Sequence, residues 1–182
     1  MGKRYDAITD KHRAFIEAQS LFFVATAPPD GHVNLSPKGL DSLRVLSPNR
    51  IVWLNLTGSG NETAAHLRES PRMTLMFCAF NGDPLIYRVF GKARAIHEGD
   101  SNWAELRSLF GDIPGARQII DLDIELTQSS CGFGVPLMDL VGQRDMLPAW
   151  ADKKGEDGLR SYWRERNALS IDGRPTGMGD DD

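Results

Sequence analysis

MTLMFCAFNGDPLIYRVFGKARAIHE, residues 73–98, decides the fold class. Its first part, Met73–Phe80, is an apolar run that reads as a buried strand, and Asn81-Gly82-Asp83-Pro84 then turns the chain. The stretch 85–98 comes back as a long strand. Gly91 inside it predicts a bulge or a close approach of backbone. A strand, a tight turn and a returning strand make an antiparallel pair.

The same grammar extends outward in both directions. Upstream, residues 9–19 read as a short helix capped by Thr9 or Asp10, with Ala14, Phe15 and Ala18 on one face. LFFVATA (21–27) is a strand closed by Pro28-Pro29-Asp30-Gly31, and HVNLS (32–36) returns as the next. A short strand is expected near 44–46, followed by IVWLNL (51–56). Ser59 and Glu62 stand at capping-box spacing, which predicts a helix from there to about Arg68, stopped by Pro71. Downstream, a helix is expected over 101–110. IIDLDIEL (119–126) alternates apolar and acidic residues, as a half-buried antiparallel strand does. Residues 145–154 and 156–168 read as two helices carrying Trp150, Tyr162 and Trp163, and the polar, Gly-rich tail 170–182 as frayed. Six or seven short strands joined mostly by turns predict a mainly β chain with flanking helices, an antiparallel barrel rather than a parallel βαβ sheet.

Composition narrows the function classes. The 182 residues carry a net charge of −4, to which Asp180, Asp181 and Asp182 contribute three negative charges, so the body is close to neutral. That argues against a nucleic-acid partner. The longest apolar runs fall far short of the roughly 20 residues of a membrane-spanning helix. MGKRYDAITD has no apolar stretch behind its basic residues, and Cys78 and Cys131 fit no zinc or redox spacing. A cytoplasmic protein is the expectation. His12, His32, His66 and His97 are scattered without ligand spacing, so no metal site is expected.

Two stretches could carry chemistry. Gly58-Ser59-Gly60-Asn61-Glu62-Thr63 leads from a strand into a helix start, where free N–H groups and the helix dipole receive anions. It matches neither the P-loop nor the dinucleotide fingerprint. Asn34-Leu35-Ser36-Pro37-Lys38-Gly39 sets a hydroxyl, a rigid turn and a cation together, and Lys38 can neutralise part of a phosphate. Arg88 lies mid-strand and must face solvent or meet an anion. Each feature alone also fits a capped helix or a solvated surface charge. Cys131 sits in a loop and reads as a packing residue, and no acid–base catalyst stands out.

Taken in order, FFVATAPPDGHVNLSPKG, IVWLNLTGSGNETAAHL, RMTLMFCAF and YRVFGKARAI resemble the pyridoxamine 5′-phosphate oxidase-like family of FMN-binding split β-barrels, over roughly residues 10–130. The tail from CGFGVPLMDL onward is similar to that of a little-characterised bacterial branch. The resemblance implies a barrel domain over 1–130, a loop and helical extension over 131–182 packed on it, and FMN as cofactor. It implies that Lys38 binds the flavin phosphate together with Asn61 and Thr63. Thr63 departs from the family's more usual lysine, leaving one cation fewer. Ser36 and Pro37 would approach the flavin ring or ribityl chain, and Trp53, Leu54 and Asn55 would flank it. Arg88 would face the cofactor of a neighbouring subunit, in a homodimer with its flavin sites at the interface. The function implied is an FMN-dependent oxidoreductase acting on a small molecule. The C-terminal segment lacks the Arg-rich ending of the true oxidases, which argues against that particular substrate. A non-catalytic flavin- or tetrapyrrole-binding sensor or carrier is the alternative of a different class, and a deazaflavin enzyme is the alternative within the same one.

Overall fold

The computed structural model describes residues 2–178. The elements run β1 (Lys3–Tyr5), α1 (Asp10–Glu17), β2 (Phe22–Thr26), β3 (Asn34–Lys38), β4 (Leu43–Ser47), β5 (Arg50–Leu56) and α2 (Glu62–Glu69). They continue with β6 (Arg72–Cys78), β7 (Ile86–Ile96), α3 (Trp103–Arg107), β8 (Ala116–Ser130) and α4 (Met146–Tyr162), ending in a π-helical turn at Trp163–Asn167. Eight strands form one sheet in the order β3-β2-β6-β7-β8-β5-β4, with β1 added to β8. Every pairing is antiparallel.

The sheet is rolled but not closed by hydrogen bonds. Strands β3 and β5 are far apart in its order, yet the Lys38 ammonium on β3 lies 5.3 Å from the centroid of the Trp53 ring on β5. The hollow of the roll holds the main core, including Phe22, Val24, Trp53, Leu75, Phe77, Tyr87, Val89, Ile120 and Leu122. A second apolar layer, with Val52, Leu54, Ile96, Leu106, Phe110 and Ile119, packs under α3. Among the described residues, no helix is long and apolar enough to cross a membrane.

Most expected elements are present, with informative differences. Strand β3 sits two residues later than expected, so period-2 alternation places Asn34, Ser36 and Lys38 on one face. Pro37 is tolerated there because β3 is an edge strand, paired only with β2. The bulge expected at Gly91 is present, between Phe90 and Gly91 in the pairing with β8. A Cβ at Gly91 would overlap the Asp123 carbonyl, which accounts for the glycine. Helix α1 is capped by Thr9, whose Oγ1 accepts the His12 amide at 3.4 Å.

Four expectations need correction. The three-residue strand β1 carries no alternation long enough to read. Strand β8 is fifteen residues long and buried on both faces over much of its length, not half-exposed over eight. Asp121, expected on the solvent side, is buried and held by Arg50 at 2.9 Å and by Arg94. Helix α2 begins at Glu62 rather than Ser59 and forms no capping box: Asn61 makes no side-chain cap, and the Glu62 carboxylate accepts the Ile171 amide instead. Finally, the tail is packed as far as Met178, with Ser170 and Thr176 buried, while residues 179–182 lie outside the described residues. The break between the two C-terminal helical segments falls at Gly155, whose φ of 66° and ψ of 172° suit glycine alone.

Candidate functional site

A cavity of about 600 Å³ opens between the exposed edge of β3, the end of β5 and the start of α2. Its wall carries Asn34, Ser36 and Lys38 from β3, Asn55 from β5, Asn61 and Thr63 from the helix start, and Arg117 from β8. Ile171 from the C-terminal segment closes one side. The structure therefore gathers five of the nine expected residues: Ser36, Lys38, Asn55, Asn61 and Thr63. The side chains of Trp53 and Leu54 point into the core instead, 0% and 1% exposed. Trp53 reaches the site only through its ring face beneath Lys38. Pro37 and Arg88 belong to one cross-strand row, Pro37–Phe23–Met76–Arg88, on the opposite face of the sheet from Lys38. Arg88 donates to Ser130 Oγ at 3.3 Å.

Lys38 is half-buried and makes no ion pair among the described residues. Burial, followed by the positive charge of Arg117, lowers its pKa from 10.5 to about 8. Arg117 is not legible as a site residue in the sequence, because it falls between the Gly/Pro stretch 111–115 and the strand expected at 119–126. It is 5% exposed, and burial works against its charge as well. A guanidinium nonetheless stays protonated in proteins. The local cause of its placement is a second bulge. Asn55 pairs with Gln118 and Leu56 with Ala116, which leaves Arg117 as the extra residue. Bulges re-aim side chains in this way.

The polar groups around these two cations fall into two networks. Asn55 Nδ2 donates to Asn61 Oδ1 at 3.0 Å and to Gln118 Oε1 at 3.1 Å, and Asn61 Nδ2 donates to the same Gln118 oxygen at 3.0 Å. This buried amide triangle fixes the approach to α2 and diverts Asn61 from capping. On the other side, Asn34 Nδ2 donates to Thr26 Oγ1 at 3.3 Å and to Thr63 Oγ1 at 3.2 Å. Thr26 Oγ1 is also bonded to His66 Nδ1 at 3.0 Å, while His66 Nε2 is buried with no partner among the described residues. The start of α2 lines the cavity and has no side-chain cap from Asn61, and the dipole of a helix start favours an anion. The one carboxylate on the wall, Glu62, is turned toward the Ile171 amide at 3.1 Å.

Two unneutralised cations, a hydroxyl, neutral amides and an uncapped helix start fit a phosphate group held at one end of a larger ligand. The sequence and the fold have relatives that agree with this architecture. A profile of the pyridoxamine 5′-phosphate oxidase family matches residues 8–131. The pyridoxamine 5′-phosphate oxidase family protein ustO of Aspergillus flavus is 40% identical over 191 residues, covering 94% of this chain and 76% of that protein. Among solved structures, HupZ of Group A Streptococcus superposes with a TM-score of 0.54 at 22% identity, over 65% of this chain and 91% of that one. An FMN-binding protein of Syntrophomonas wolfei does so with a TM-score of 0.50 at 15% identity, over 65% and 84%. The profile covers the rolled sheet from β2 to the end of β8, leaving out only β1, and the ustO match carries the likeness through the C-terminal helices. The chain is a split-barrel member of the pyridoxamine 5′-phosphate oxidase family.

Proposed function

We propose that this protein binds FMN and acts as a flavin-dependent oxidoreductase on a small molecule, as a homodimer. One observation carries the reading: Lys38, desolvated and without a carboxylate partner, lies on the wall of a cavity large enough for a flavin, beside the uncapped start of α2. A lysine in that state is stabilised by an anion, and the phosphate of FMN is one. The Syntrophomonas wolfei relative is itself described as binding FMN, which adds support from the same fold.

In this reading Lys38 contributes charge, and Asn61 and Thr63 contribute neutral hydrogen-bonding groups. Ser36 and Asn55 border the remainder of the cavity. Trp53 and Leu54 act from beneath, as the packed floor that holds Lys38 and Asn55 in place. Pro37 and Arg88, on the other face of the sheet, reach a flavin only if it is bound by a second subunit. When bound, FMN supplies the hydride or electron transfer, and the chain supplies binding, orientation and electrostatics.

The test is a titration of the purified, flavin-free protein with FMN, riboflavin and FAD, alongside Lys38→Ala. FMN is expected to bind tightest. Hydrogen bonds to charged groups are worth about 1.5–3 kcal/mol, so Lys38→Ala should weaken FMN by about ten- to a hundred-fold and leave riboflavin almost unchanged. Equal weakening of both flavins, at unchanged thermal stability, would remove Lys38 from the phosphate. Bound FMN that no nicotinamide or small-molecule donor reduces would convert the enzyme reading into that of a carrier or sensor.

A further inference from the structure

Arg117 raises a question that the flavin reading leaves open. Its guanidinium is buried, and all its partners are neutral acceptors: Asn167 Oδ1 at 2.6 Å, the Gly60 carbonyl at 2.8 Å and Asn55 Oδ1 at 3.5 Å. Its Nε has no partner among the described residues. A buried cation held by neutral groups alone is costly, and buried charges are ordinarily paired with an opposite charge. Here the position facing it is occupied by an amide. Asn167 is fully buried, and its Nδ2 donates to the Gly58 carbonyl at 3.1 Å. It thus bridges Arg117 to the loop that leads into α2. It stands at the end of the π-helical turn Trp163–Asn167, an irregularity often found at functional sites. Trp163 fixes that turn by donating from Nε1 to Thr57 Oγ1 at 2.8 Å.

We propose that Arg117 and Lys38 together form a receptor for a dianionic phosphate monoester, and that Asn167 positions Arg117 while leaving its charge uncompensated for that ligand. The proposal rests on the FMN reading for the rest of the ligand, but its own content is the anion. Two positive charges match a dianion. The donors available from Lys38, Arg117, Thr63 and the first amides of α2 outnumber what the two oxygens of a carboxylate can use, and suit a phosphate. Glu62, the acidic group on the wall, accepts the Ile171 amide and makes no ion pair among the described residues. The neutrality of Asn167 is then a binding property: an aspartate there would fill the guanidinium's electrostatic need from within the fold.

Asn167→Asp tests this directly, with Arg117→Gln as a second variant. The first keeps the shape and neutralises the charge in place, at the cost of the donor to Gly58; the second removes the charge and leaves Gly58 its donor. Each is expected to reduce FMN affinity by about ten- to a hundred-fold and to leave riboflavin affinity unchanged. Orthophosphate, compared with chloride at equal ionic strength, should raise the melting temperature of the parent and of neither variant. A merely structural role would weaken both flavins alike, or leave phosphate stabilisation in the variants equal to the parent's, and either result overturns the proposal. If the parent does not distinguish FMN from riboflavin, the FMN reading fails; the orthophosphate comparison still decides for or against Arg117. Absence of phosphate stabilisation in the parent decides against it.

Discussion

Lys38 is on an edge strand, over the ring of Trp53, with Arg117 as its like-charged neighbour. The other charged or titratable groups on that wall are Glu62, His66 and His32. A lysine whose folded pKa lies near 8, against 10.5 when exposed, binds fewer protons folded than unfolded between those values. Its contribution to stability in the flavin-free protein therefore rises with pH across that window, as the desolvated charge is given up. Ligand binding runs the other way, because a phosphate stabilises the charged form. FMN affinity should be flat with respect to Lys38 ionisation below about pH 8 and fall above it, by up to tenfold per pH unit. Calorimetric titrations from pH 7 to 9.5 check this. An affinity unchanged up to pH 9.5 in the parent, or falling equally in Lys38→Met, would show that Lys38 does not face the anion.

At the scale of elements, the C-terminal hairpin formed around the Leu169–Pro175 bridge is the part whose behaviour composition misreads most. Its sequence is polar and Gly-rich, yet three sets of contacts fasten it beside the cavity. Asp172 accepts the His32 amide at 2.9 Å and pairs with His32 Nδ1 at 2.6 Å. Glu62 accepts the Ile171 amide, and Arg174 pairs with Asp30 and Glu69. The hydrogen bond and charge of Asp172 raise the His32 pKa, and the bonds from His32 lower that of Asp172. The histidine's contribution is complete below about pH 6.5 and is lost as pH rises through its raised value. The aspartate's contribution is complete above about pH 4 and is lost as pH falls through its lowered value. Amide exchange of residues 171–174, corrected for intrinsic rates, should thus show strongest protection near pH 5 and weaken toward pH 8. His32→Ala should flatten the upper limb. A profile without that limb would mean that the pair does not hold the hairpin.

For the whole molecule, the stretch from 131 to 146 sets Phe133, Leu137, Leu140, Val141 and Met146 outward, all largely exposed. A run of apolar side chains on one segment marks an interaction surface more often than a solvated loop. In the proposed homodimer an isologous contact would cover it. Light scattering of the flavin-bound protein should give twice the 20.2 kDa chain mass. Leu140→Asp with Val141→Asp should shift the protein toward monomer while preserving its circular dichroism. A monomer with flavin fully bound would refute the dimer.

The residues themselves determined much of this protein. Lys38, Asn61 and Thr63 were joined only by the family resemblance, whereas apolar runs and turn dipeptides marked β2, β6 and β7, and Gly91 marked its bulge. Such features depend on neighbours a few positions apart, and short-range sterics and periodicity record them. Arg117 has no such record. It becomes a site residue because β5 and β8 pair out of step at one position, and because a π-helical turn brings Asn167, fifty positions later, to 2.6 Å from it. Asp121 looked like the solvent side of an alternating strand until β8 proved central, with an apolar layer on each face. The tail read as frayed because its partners, His32, Glu62 and Glu69, lie more than a hundred residues earlier. Register between distant strands and charge pairing across the chain exist only once the sheet has rolled, so the tertiary structure alone decided where the second cation points and what closes the cavity.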